Sequence, residues 1–148
     1  MIYIGIDPGV SGALAIIDGD SAAAMVFDER SYIENLRLCA RESRCVCCLE
    51  KVGSMPKQGV ASTFKFGVNF GWIQGALMAL DIPYELVSPQ KWKREFSVTA
   101  DKNTSIEVAK RLFPQVDLRR TPKCVKDHDG MAEALLLATF AKRHFDGR

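Results

Sequence analysis

Four carboxylates occupy positions where solvation alone does not account for them. Asp7 ends the run Ile2-Tyr3-Ile4-Gly5-Ile6, in which Ile2, Ile4 and Ile6 alternate as on a strand, and it opens the turn Pro8-Gly9-Val10-Ser11-Gly12. Glu50 ends a second short apolar run, Cys45-Val46-Cys47-Cys48-Leu49. Asp129 and Glu133 begin the last apolar segment four residues apart, a spacing that puts both on one helix face with Cβ atoms about 5–6 Å apart. A sheet sets distant strand ends side by side, so the four can form one cluster. Such a cluster repels itself unless protons or cations neutralise it, and hard oxygen donors select Mg2+ or Mn2+. Two such ions about 3.5–4 Å apart can clamp the attacking water and the leaving oxygen of a phosphodiester. Metal-dependent phosphodiester hydrolysis is the chemistry these residues offer.

Each residue also has a local alternative. Asp7 could cap its own turn. Asp127 or Asp129 could cap the last helix, satisfying orphan amides at its positive end. His128 could ligate a metal, move a proton or be an ordinary loop residue. Glu133 sits between Ala132 and Ala134 in an apolar stretch and is harder to read as a solvated charge.

The elements that must position these groups follow from periodicity. Residues 13–17 and 22–27 read as strands after the opening turn, and residues 32–40 have helical spacing of Ile33, Leu36 and Leu38. A strand over residues 45–49, a loop over 53–59, a long helix over 61–80 and a strand over 82–87 come next. Ser88-Pro89 starts a helix with Pro89 in its first turn. Thr99 or Asp101 caps another that runs to Phe113 and stops at Pro114. Residues 118–126 form a basic linker, and a helix over 130–144 closes the chain. Gly67, Gly71 and Gly75 recur every fourth residue of the long helix. Each costs about 0.5–1 kcal/mol relative to alanine, which implies close backbone approach to the sheet or to a second subunit.

The 148 residues suit a single domain with one core, expected over 1–148. With 47% hydrophobic and 26% charged residues and no apolar run near the roughly 18 residues of a membrane span, a cytoplasmic globular protein is expected. The five cysteines are odd in number, and three lie in one apolar run, so a buried strand is expected there in place of a disulfide framework or a zinc site. The net charge of +2 is unevenly spread: residues 1–88 hold 7 Lys/Arg against 10 Asp/Glu, and residues 89–148 hold 13 against 8. Between Lys91 and Lys126 ten basic side chains face four acidic ones, a composition suited to a polyanion. The candidate nucleic-acid contacts are Lys57, Lys65, Lys91, Lys93, Arg94, Lys102, Arg119, Arg120 and Lys123.

Ile4-Gly5-Ile6-Asp7-Pro8-Gly9, Leu49-Glu50-Lys51-Val52 and Asp129-Gly130-Met131-Ala132-Glu133-Ala134-Leu135 resemble, in order, the three acidic motifs of RuvC-like Holliday junction resolvases of the ribonuclease H-like superfamily. Pro56-Lys57-Gln58-Gly59, Phe66-Gly67 with Gly71, and Val87-Ser88-Pro89-Gln90-Lys91-Trp92-Lys93 are similar to the small phage and prophage members. The resemblance implies an α/β fold, a mixed sheet with helices on both faces. It also implies a homodimer and Mg2+-dependent symmetric nicking of four-way DNA junctions. It casts Asp7, Glu50, Asp129 and Glu133 as catalytic metal ligands, with Asp127 and His128 as alternatives to Asp129. Lys93 and Lys102 fall near positions that contact DNA in that family. Two departures stand out. Gly130 occupies the place three before Glu133 where the bacterial pattern carries an acid or a histidine. Gly53-Ser54-Met55 follows Glu50 where an aromatic is found, leaving Phe64 or Phe66 to stack on a junction base. The competing expectations are another ribonuclease H-like nuclease, cutting RNA–DNA hybrids or flaps, and a non-catalytic junction-binding protein.

Overall fold

The computed structural model describes residues 1–146; residues 147 and 148 of the expected domain lie outside the described residues. The chain runs β1 (Ile2–Asp7), β2 (Ala13–Asp18), β3 (Ser21–Val26), α1 (Glu29–Glu42), β4 (Cys45–Glu50), α2 (Val60–Ala79), β5 (Tyr84–Val87), α3 (Pro89–Phe96), α4 (Lys102–Leu112) and α5 (Asp129–Phe145). The strands form one sheet in the order β3-β2-β1-β4-β5. β1, β2 and β3 are an antiparallel meander, whereas β4 runs parallel to β1 and β5 parallel to β4. Parallel neighbours need long crossovers, and α1 and α2 supply them.

Strand alternation divides the core in two. Ile2, Ile4, Ile6 and Leu14 face α1 and α2, packing with Tyr32, Leu36, Ile73 and Leu77. Tyr3, Ala13, Ala15 and Ile17 face the other way, against α5 and the buried residues of α3 and α4, Trp92, Phe96 and Ala109. β1 is therefore covered on both faces, as its near-continuous apolar sequence requires. The helix α5 is buried almost all round, Leu135, Leu136 and Leu137 included, because it lies between the sheet and α3 and α4.

Local signals explain where elements begin. Asp28 caps α1 by accepting the Ser31 N–H at 2.9 Å, which starts that helix at Glu29, three residues before the apolar spacing shows. Of the two caps expected for α4, Asp101 is the one used. β5 begins at Tyr84, two residues later than expected, because Ile82 gives its N–H to the Leu77 carbonyl and finishes α2. Cys45, Cys47 and Cys48 lie in β4 as free thiols, as a buried strand predicts, and Cys39 and Cys124 are free as well. Among the described residues no helix is long and apolar enough to cross a membrane.

Candidate active site

β1 and β4 are parallel neighbours in a register that pairs Ile6 with Leu49, so Asp7 and Glu50 leave the same end of the sheet side by side. α5 starts at that end with Asp129 and brings in Glu133 one turn later. All four carboxylates line one cleft of about 540 Å3, together with Phe66, Lys93, Lys102 and His128. Larger hollows exist, including one of about 670 Å3 beside Arg41, Arg44 and Asp81, so chemistry and not size marks this cleft.

Burial and mutual repulsion govern its electrostatics. Burial pushes the Asp7 carboxyl well above the usual range, and the charges of Glu133 and Glu50 add to that while Lys102 opposes it. Burial also raises Glu50, against the pull of a hydrogen bond from Trp92, and raises Glu133, against Lys93 and Lys102. At Asp129 burial acts upward too, but the bond and charge of Lys102 outweigh it and the carboxyl ends below its ordinary value. Lys102 Nζ lies 2.5 Å from Asp129 Oδ2, and Lys93 Nζ lies 3.9 Å from Glu133 Oε1. Two ammonium groups thus offset part of the cluster's charge. Among the described residues no three His, Cys, Asp or Glu side chains already surround a single point as metal ligands would. The donor set nevertheless fits a hard divalent cation: all four converging groups are carboxylates, and three hold protons more tightly than usual, first because burial strips them of water and then because neighbouring carboxylates repel their charge.

The competition around the third motif is separated in space. Asp127 turns away to pair with Lys110 at 2.8 Å. His128 caps α5, its Nδ1 accepting the Met131 N–H at 3.2 Å, so neither Asp127 nor Asp129 fills the capping role open to them in the sequence. His128 also lines the cleft. A Cβ on Gly130 would stand 3.0 Å from Asp7 Oδ2 and 2.8 Å from His128 Cε1, so the larger residue of the bacterial pattern would displace the His128 ring and crowd the Asp7 carboxylate. Phe66 lines the cleft and packs toward Gly9, whereas Phe64 is exposed.

Two residues that sequence reasoning did not assign to the site hold the carboxylate-bearing segments. Asn69 of α2 accepts the Gly9 N–H at 2.7 Å and ties that helix to the turn after Asp7. Trp92 of α3 donates from Nε1 to Glu50 Oε2 at 2.7 Å. The signal available for Asn69 was a lone amide between Val68 and Phe70 in a helix otherwise apolar there.

The basic residues do not form one patch. Lys93 and Lys102 line the cleft. Arg119 and Arg120 lie in the loop before α5, where a bridge joins Arg119 to Asp127 and Asp117 grips the Arg119 guanidinium at 2.8 and 2.9 Å. Lys91 points away from the cleft to Glu85, 3.4 Å distant. Lys57, Lys65, Arg94, Arg120 and Lys123 are exposed and make no ion pair among the described residues.

A five-stranded mixed sheet of this order, with helices on both faces and carboxylates at the ends of β1 and β4, has the ribonuclease H-like fold. Within that class the chain is similar to RuvC. A structure described as T. thermophilus RuvC in complex with Holliday junction substrate matches with a TM-score of 0.59 and 15% identity, over 97% of this chain and 95% of that one. A second Thermus thermophilus RuvC structure matches with a TM-score of 0.53 and 18% identity, over 97% and 96%. No family model matches the sequence, and no curated protein does. At such identities the likeness is one of fold.

Proposed function

We propose that this protein is a single-domain, structure-selective DNA endonuclease that resolves four-way (Holliday) or related branched junctions by symmetric nicks. The observation that carries this reading is the convergence of Asp7, Glu50, Asp129 and Glu133 with two lysines in one cleft, on a fold shared with a RuvC whose structure contains a Holliday junction. The four carboxylates would hold two Mg2+ ions, or Mn2+ in their place. When bound, such ions supply charge that activates water and stabilises the leaving oxygen of a phosphodiester. The chain's own contribution is placement. β1 and β4 fix Asp7 and Glu50 on rigid strand ends, α5 fixes the other pair, and Lys93 and Lys102 draw the DNA backbone toward them. Phe66, on the cleft wall, would stack on a base at the branch point.

A homodimer suits a symmetric junction, because two sites address two strands of like polarity. The α2 face is the proposed interface. Val60, Phe64 and Val68 are 89%, 71% and 56% exposed along one stripe. A Cβ on Gly67, Gly71 or Gly75 would meet no atom within 4 Å, so these glycines make no close approach to the sheet of their own chain.

Cleavage of a labelled synthetic four-way junction in Mg2+, beside linear duplex and RNA–DNA hybrid, tests the reading. Paired nicks in the junction alone, lost in Asp7→Asn and Glu50→Gln while binding persists, would support it. Tight binding without cutting would make the protein a junction-binding module, and preferential cutting of the hybrid would make it a ribonuclease.

A further inference from the structure

We propose that Trp92 is a positioning residue whose indole N–H holds Glu50 in its ligating orientation and thereby sets the affinity of the cleft for divalent cations. The proposal rests on the reading of the cleft as a cation site. It does not require that the substrate be a junction.

The geometry is specific. Trp92 is fully buried, and its Nε1 stands 2.7 Å from Glu50 Oε2. An indole N–H can only donate, so it neither competes for a cation nor accepts a proton; it occupies one lone pair of Oε2 and leaves the rest of the carboxylate to the cleft. The sequence builds this contact from the strand outward. Val87 of β5 pairs with Glu50 of β4 and accepts the Lys51 N–H at 2.8 Å. Directly after Val87, Ser88 caps α3 by accepting the Lys91 N–H at 3.3 Å, with Pro89 in the first turn. One turn of helix then carries Trp92 back beside Glu50. The same indole supports a second cleft group, because Lys93 Nζ lies 5.4 Å from its ring centroid and 3.9 Å from Glu133. Ser88-Pro89-Gln90-Lys91-Trp92-Lys93 therefore fixes one carboxylate by a hydrogen bond and one ammonium by a ring face. Partners of this kind behind metal ligands typically change metal affinity 10–100-fold when removed.

The chain contains two tryptophans, which supplies a matched control. Trp72 packs against Phe27 and Tyr32 in the core on the opposite face of the sheet. Trp92→Phe keeps a packed ring and removes only the donor, and Trp72→Phe makes the same change away from the cleft. Mn2+ is the probe, its bound fraction read from the loss of the free-ion electron paramagnetic resonance signal. The half-saturating Mn2+ concentration should rise about tenfold in Trp92→Phe and stay unchanged in Trp72→Phe. Equal binding by the two variants would overturn the proposal. Should Trp92→Phe fail to fold, the Trp72→Phe protein retains Trp92 as its only indole. Its emission should then be quenched by Mn2+ with the midpoint seen by resonance, and emission that ignores bound Mn2+ would overturn the proposal. Junction cleavage measured alongside separates the two readings. A wild type that binds Mn2+ more tightly than Trp92→Phe but cuts no branched DNA would refute the nuclease and leave the positioning role. Junction cutting with no difference in Mn2+ binding between the two variants would do the reverse, and a wild type that binds no Mn2+ would refute both.

Discussion

Gly5 of β1 and Ala134 of α5 meet backbone to backbone, and a Cβ on Gly5 would overlap the Ala134 carbonyl oxygen and the Ala138 N–H. Asp7 lies two residues beyond Gly5 on the same strand face, and Glu133 directly precedes Ala134, so this contact sets the spacing of the two carboxylates. Gly5→Ala must therefore push α5 away from the sheet. It should destabilise the protein by about 1–3 kcal/mol, the usual range for overpacking a close contact, read as a lower midpoint in urea unfolding. Junction cleavage should fall more than the loss of folded protein explains, because Glu133 moves with the helix.

Lys102 competes with cations for the cluster. Its ammonium sits on Asp129 and its charge also acts on Asp7 and Glu133. Lys102→Met should tighten Mn2+ binding about fivefold, since one positive charge leaves a buried negative site. It should also weaken junction binding and lower the salt slope of that binding by about one. Mn2+ titration and junction binding at several salt concentrations measure the two effects separately, and looser Mn2+ binding would contradict the competition.

The cluster also fixes a pH dependence. Asp7, Glu50 and Glu133 hold protons more tightly folded than unfolded. Over the window between the ordinary carboxylate range and these raised values the folded state binds more protons, so stability falls as pH rises through it. Asp129 has the opposite sign: its pairing with Lys102 stabilises above the ordinary carboxylate range and is lost as pH falls below it. In chelator, the melting temperature should decline from mildly acidic pH toward neutrality, because the three raised groups lose their protons across that window while Asp129 is already ionised. Mg2+ should restore it at neutral pH. Asp7→Asn should flatten the decline and abolish the Mg2+ gain, and a melting temperature that rises toward neutral pH in chelator would contradict this.

Much of the scaffold was legible because the signals are local. Strand alternation placed Asp7 at a strand end and the short apolar run over 45–49 placed Glu50 at another, Ser88-Pro89 marked the start of α3, and the four-residue spacing put Asp129 and Glu133 on one face. What the sequence left open depends on tertiary contact. Asp127, His128 and Asp129 are equivalent candidates in a linear chain; only folding sends Asp127 to Lys110 and ties His128 into a cap. Trp92 enters the sequence only as part of the run after Ser88-Pro89; folding buries it and sends its single polar atom to a carboxylate 42 residues away. The glycine stripe could face the sheet or a partner in sequence terms, and the open space around each glycine removes the first option.

That open space leads to the last prediction. Val60, Phe64 and Val68 follow one another every fourth residue on the solvent side of α2, and Gly67 and Gly71 continue the spacing beside them. The opposite side of the same helix is used by its own protomer, through Asn69, Ile73, Ala76 and Leu77. An apolar surface this exposed favours association, and the glycines let a second helix approach closely. Phe64→Asp places a charge on the stripe without touching the protomer core. It should convert a dimer to a monomer in size-exclusion chromatography with light scattering, with the circular dichroism spectrum unchanged. Paired nicking should fall at least tenfold as the two sites lose their link, while Mn2+ binding per protomer stays the same because Asp7 and Glu50 lie on the ends of sheet strands and not on α2. A wild type that is already monomeric at working concentration would remove α2 as the interface.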